Sequence, residues 1–165
     1  MSSSRDPARG LARLGSWIGT WRGTGHGSFP GIEPFDYAER LVFRTRDGET
    51  SLHFEQEAWL VDDGRIVEPS HWETGFLEVT TDERVVLLNA QASGRVEVLR
   101  GDVTEGPGGG VELSLASVVH AHDPRVVATR RHFRLAGDEL TYRMEMATTR
   151  IPDALVHLEA RLWRS

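Results

Sequence analysis

From residue 35 onward, hydrophobic and polar side chains alternate. Leu52, Phe54, Gln56, Ala58 and Leu60 share one side of an extended chain, and His53, Glu55, Glu57 and Trp59 share the other. Period two is the signature of a strand with unlike faces. The same reading predicts strands over 35–44, 70–79, 85–88, around Val96 and Val98, and over 111–119, 126–135, 140–146 and 154–163. Turn signals separate them: Asp47-Gly48, Asp63-Gly64, Asp82-Glu83, Ser93-Gly94 and Ala136-Gly137-Asp138. A Gly-rich loop is expected at 104–110 and a connection at His120–Pro124. Strand never alternates with helix, so about ten hairpin-linked strands predict an all-β antiparallel up-and-down barrel. Closure removes the exposed sheet edges, and a barrel of this size can enclose a small ligand.

Ahead of this row lies Gly19-Thr20-Trp21-Arg22-Gly23-Thr24-Gly25-His26-Gly27. So many glycines oppose a helix but suit a bent strand whose backbone approaches its neighbours closely, with Trp21 as a plug or floor. Asp6-Pro7 can open a short helix over Ala8–Leu14, with Leu11 and Leu14 on one side, placed as a lid over one barrel end. Residues 1–7 read as a disordered tail and 8–165 as a single domain. Phe29-Pro30-Gly31-Ile32-Glu33-Pro34 reads as a stiff loop whose Phe29 and Ile32 could line a pocket mouth.

Composition narrows the chemistry. The chain has no cysteine, which excludes disulfides, thiolate metal sites and a cysteine nucleophile. A formal charge of -6 argues against a nucleic-acid surface. The start has no apolar signal core and no run is apolar enough to span a membrane, so the expected compartment is the cytoplasm. No Gly-x-Ser-x-Gly elbow or phosphate-binding Gly-rich Lys motif is present. Several expected inward positions are polar: Gln56, His71, Glu73, Arg125 and His157. A ligand cavity accommodates such groups, whereas a tightly filled sandwich desolvates each of them.

A family signal lies on these same residues. Gly19-x-Trp21-x-Gly23-x-Gly25, Phe29-Pro30, Glu33-Pro34-Phe35, Tyr37-x-Glu39 and His71-x-Glu73-x-Gly75-Phe76 occur in order. Ser93-Gly94 with Glu97, Gly137-Asp138-x-Leu140-x-Tyr142, Met144 and His157-Leu158-x-Ala160-x-Leu162-x-Arg164 continue the series. Over about residues 14–164 the chain resembles the nitrobindins, heme-binding β-barrels of lipocalin and fatty-acid-binding-protein type. The resemblance implies a ferric b-type heme held by His157 as axial ligand, isomerisation of peroxynitrite to nitrate, and nitric oxide binding. It also implies that Arg125, aligned with a family lysine, meets a heme propionate. Gly31 stands where members commonly have threonine.

Other readings stay open from the residues themselves. In an unbroken strand His157 shares a face with Leu155, Glu159, Arg161 and Trp163, while Val156, Leu158, Ala160 and Leu162 form the more apolar face. Either the histidine's face packs against the helix or a partner, or a bulge resets the alternation. His71 and Glu73 read as a rim bridge. His120, His122 and Asp123 are a minimal metal set, or a solvated loop. Met144 and Met146 line a soft pocket or fill a core. A heme-free barrel binding a fatty acid or another apolar molecule is the alternative function, and a homodimer is a possible assembly.

Overall fold

The computed structural model describes residues 7–80 and 84–165. The expected tail, apart from Pro7, and the Asp82-Glu83 turn lie outside the described residues. A helix α1 (Pro7–Leu14) runs through a 3-10 turn (Gly15–Trp17) into ten strands. These are β1 (Gly19–Phe29), β2 (Ile32–Arg44), β3 (Ser51–Asp62), β4 (Arg65–Val79) and β5 (Arg84–Gln91). They continue as β6 (Val96–Glu105), β7 (Val111–Ala121), β8 (Val126–Ala136), β9 (Glu139–Thr148) and β10 (Leu155–Arg164). Every strand pairs antiparallel with its sequence neighbours, and β1 closes the barrel on β10, as the hairpin row predicts.

Alternation sets what points inward. On β1 the inner positions are Trp21, Gly23, Gly25, Gly27 and Phe29, and the glycines make room. A Cβ at Gly25 would stand 2.2 Å from the Tyr37 ring, and one at Gly27 2.2 Å from the Phe35 ring. Those rings therefore lie across the β1 backbone, which is the close approach expected of this stretch.

Three strands differ from the sequence reading. Phe29–Ile32 is a two-residue hairpin, not a stiff loop: Pro30 supplies a fixed φ and Gly31 turns at φ +84°. Strand β2 thus begins at Ile32 and tolerates Pro34 because its pairing with β1 shifts register there. Strand β4 starts at Arg65, directly after the Asp63-Gly64 turn, with irregular pairing around Pro69. Strand β7 runs on to Ala121, so His120 belongs to the sheet.

The two ends of the barrel are built differently. At the end where β1 begins, Leu14 and Trp17 fill the interior, and Trp21 sits beside them fully buried. Trp17 meets Phe43 edge-on at 5.6 Å and Phe133 at 6.1 Å between ring centroids. The Trp21 indole N–H donates to the Trp17 carbonyl at 2.9 Å. The N-terminal segment therefore closes this end, in the lid role expected of it. At the other end, where β1 turns into β2, the interior is open.

Candidate functional site

The open end holds a cavity of about 790 Å³. Its apolar walls include Phe29, Phe133, Met144, Met146 and Leu158. Its volume falls within the range of pockets that enclose small organic ligands. His157 lines it, and the reason is a bulge. Leu155 and Val156 pair with Met146 and Glu145, but Leu158 pairs with Met144, which leaves His157 as the extra residue on β10. The bulge places His157 and Leu158 together on the cavity side and restores inward Ala160 and Leu162 beyond it. Of the alternatives for this face, the reset alternation is the one found.

The imidazole is held from three sides. Its Nδ1 lies 3.1 Å from the carbonyl oxygen of Ser28. A carbonyl only accepts, so Nδ1 carries the proton and Nε2 keeps its lone pair in the neutral ring. Phe29 and Phe35 stand edge-on to the ring at 5.6 and 6.4 Å. Burial pushes the pKa of His157 below its ordinary value, and the charges of Arg95 and His71 act in the same direction against the Ser28 bond. The ring is thus neutral near pH 7, with one nitrogen tied and the other making no hydrogen bond among the described residues. That is the state in which histidine ligates a metal.

Beneath the cavity lies a polar floor. Arg131 bonds both oxygens of Glu73 and reaches Glu97 at 2.6 Å. Asn89 donates to Glu73 and Glu97 at 3.0 Å each, and Gln91 donates to Glu73 at 3.1 Å. Thr129 donates to Glu97 at 2.8 Å, and His71 Nε2 meets Glu73 at 3.1 Å. Burial alone would raise both carboxyls. Arg131, aided by His71 at Glu73 and by Thr129 and Asn89 at Glu97, outweighs it and holds both below the usual carboxylate range. A second buried group sits beside this floor. The Tyr142 hydroxyl is 2.5 Å from Glu39, 2.8 Å from the Tyr37 hydroxyl and 3.2 Å from the Gln56 amide. Here burial wins and pushes Glu39 up to about 8.

The other predicted residues separate. Gln56 and Glu73 are buried, as expected of inward positions, and His71 is half-buried at the cavity wall. Arg125 is not an inward residue: it stands at the rim with its side chain 83% exposed, doubly hydrogen-bonded to Asp123. Asp123 is thereby engaged, and His120 bonds Ser117 at 2.8 Å inside β7. No group of three or more His, Cys, Asp or Glu that could hold a metal ion occurs among the described residues. Sequence reasoning did not single out Arg95 or Arg131. The signal was present in the alternation, since Arg95 shares a face with Glu97 and Leu99, and Arg131 with Thr129 and Phe133. A shallower depression of about 480 Å³ on the outer wall is bordered by arginines. Several of these are paired with Asp102 or Glu145.

Comparison with known proteins agrees with this geometry. Residues 10–164 match the THAP4-like, heme-binding beta-barrel domain family. The chain is 38% identical over 154 residues to peroxynitrite isomerase 2 of Mycobacterium ulcerans (strain Agy99), covering 92% of this chain and 89% of that one. It is 36% identical over 138 residues to a peroxynitrite isomerase of Nocardioides sp. (strain ATCC BAA-499 / JS614), covering 82% and 81%. The crystal structure of Rv2717c from M. tuberculosis superposes with a TM-score of 0.82 at 33% identity, over 93% of this chain and 97% of that one. A phycobiliprotein lyase from Guillardia theta shares the fold alone, with a TM-score of 0.59 at 12% identity. The chain belongs to the THAP4-like, heme-binding β-barrel family.

Proposed function

For this member of a heme-binding family, we propose that the cavity holds a ferric b-type heme on His157 and that the protein isomerises peroxynitrite to nitrate and binds nitric oxide. The observation that carries this reading is the state of His157, bulged into the cavity with Nδ1–H tied to Ser28 and Nε2 making no hydrogen bond among the described residues. The other residues fit the group as well: the methionine and aromatic walls suit a flat apolar macrocycle. Arg150 offers a cation at the rim to a carboxylate that faces solvent, whereas Arg125 is already neutralised by Asp123. The relatives named peroxynitrite isomerase support the choice of substrate.

The heme supplies an electrophilic coordination position for an anionic nitrogen oxide. This chain's residues bind, orient and shield. Ser28, Phe29 and Phe35 fix the plane of the His157 ring. Met144, Met146 and Phe133 exclude water from the walls. Peroxynitrite and nitrate are isomers with the same charge, so the reaction needs no net proton donor or acceptor. Glu73, tied by Arg131, Asn89, Gln91 and His71, therefore serves to hold the floor in place. A cytoplasmic location is part of the same reading, and no helix among the described residues is long and apolar enough to cross a membrane. Homodimer formation through the outer face of β10, where Val156 and Trp163 are exposed, is a further part, tested by sedimentation velocity.

Stopped-flow decay of peroxynitrite with nitrate yield tests the activity. Heme-loaded protein is expected to accelerate decay and to raise the nitrate fraction, with His157→Ala losing both. Equal rates and yields with and without protein would sink the proposal.

A further inference from the structure

Among the described residues lining the cavity there are four arginines, and three are accounted for. Arg131 is buried but saturated by Glu73 and Glu97. Arg125 is exposed and neutralised by Asp123. Arg150 is exposed on the β9–β10 loop. Arg95 differs from all of these. It is only 9% exposed, and no carboxylate lies within ion-pair distance of it among the described residues. Among the described residues its side chain makes one hydrogen-bond contact, a weak one from a terminal nitrogen to the Met146 sulfur at 3.9 Å, and its buried Nε has no partner.

A buried cation with no carboxylate in contact is costly unless something else meets it, and the two carboxylates that feel its charge, Glu97 and Asp123, are bonded to Arg131 and Arg125 instead. The backbone gives the side chain no way out. Gly94, at φ +100°, turns the chain tightly between β5 and β6. The Gln91 N–H donates to the Arg95 carbonyl at 2.9 Å, which locks the hairpin. Alternation then aims Arg95 inward with Glu97 and Leu99. The side chain ends beside Met146, which packs with Phe29 and Val126 in the same wall that holds His157.

We propose that Arg95 is the interior carboxylate-binding residue of the cavity, and that it receives a propionate of the bound heme. A guanidinium presents a planar fork that matches a carboxylate, and Nε is one prong of that fork. The inference rests on the heme reading and deepens it. His157 would hold the iron and Arg95 a propionate, so this chain's residues would anchor the heme at two points. Arg125 then adds little, because Asp123 already neutralises it in water.

The test is a Soret titration of the apoprotein with ferric heme and with its dimethyl ester, which lacks the carboxylate charges. Wild type, His157→Ala, Arg95→Gln, Arg95→Lys and Arg125→Gln are compared, with thermal unfolding as a check on folding. Loss of one charge-assisted hydrogen bond corresponds to roughly ten- to a hundred-fold in affinity. Arg95→Gln is expected to weaken heme binding by about that factor, to leave ester binding near wild type, and to be partly rescued by Arg95→Lys. Arg125→Gln is expected to change heme affinity less than about three-fold. If Arg95→Gln weakens heme and ester alike, or neither, Arg95 is structural and the inference is overturned. Should Arg95→Gln fail to fold, the wild-type preference for heme over ester, and its size in Arg95→Lys, decide the same point. If wild type shows no His157-dependent band, the heme reading itself falls and takes this inference with it.

Discussion

The two ends of this barrel solve opposite problems with the same strands. At the closed end Leu14, Trp17, Trp21, Leu41 and Phe43 are buried against one another and leave little room. At the open end the same inner faces carry Gln56, Glu73, Gln91, Arg95 and Arg131 around a cavity. The closed end is held by apolar area and packing, which are insensitive to pH. The open end is held by charge pairing, which is not. The two ends are thus stabilised by different terms, and the open end keeps polar groups and volume facing a ligand.

Substitutions that strike one end only break this comparison most directly. Trp17→Ala removes the indole that the whole closed end packs on, and is expected to cost roughly 3–5 kcal/mol by chemical denaturation, nearly constant from pH 5 to 8. Arg131→Met leaves two buried carboxylates without their counter-charge, at a cost of similar size, roughly 3–5 kcal/mol at pH 7. That cost should shrink in acid as Glu73 and Glu97 become protonated. A pH-independent deficit in Arg131→Met would mean that the floor is held by shape and not by charge.

Glu39 makes a contribution of opposite sign. Its folded pKa is raised to about 8 by burial, so the native state holds a proton that the unfolded chain releases at lower pH. Its contribution is complete below the ordinary carboxyl pKa and is lost as pH rises toward 8, at no more than about 1.4 kcal/mol per pH unit. Glu73 and Glu97 contribute with the reverse sign, losing stability as pH falls below the ordinary carboxyl pKa. Denaturation midpoints measured from pH 4.5 to 8.5 should therefore decline on the alkaline side. Glu39→Gln, which keeps a partner for Tyr142, should flatten that decline. Gly31→Ala, at φ +84° in the mouth hairpin, is the mildest test, with about 1 kcal/mol expected from the left-handed backbone and no change in the closed end.

Much of this was legible in the residues because it follows from period two and turn chemistry. Asp47-Gly48 and Asp63-Gly64 mark hairpins, and the alternation through β3 assigns Leu52, Phe54, Gln56 and Ala58 to the interior. What was not legible depends on partners distant in sequence. The bulge at His157 exists because β10 and β9 are offset there by one residue, and no local pattern announces it. Pro34 inside β2 looks like a strand breaker until the register shift against β1 is seen. Arg125 reads as inward because it precedes a strand, yet Asp123 holds it at the rim. Arg95 was readable by alternation but is easily assigned to its turn, since its role depends on which described carboxylates contact it in space and which are held by other arginines.

The central claim is that the bulged His157 is the iron ligand of a heme held at the open end. A Soret titration of wild type beside His157→Ala tests it most directly, with unfolding midpoints measured on both. The account predicts a saturable one-to-one band in wild type, its loss or displacement in the variant, and a closely similar unfolding midpoint for the two apoproteins. The same band, at the same midpoint of titration, in both proteins would contradict it.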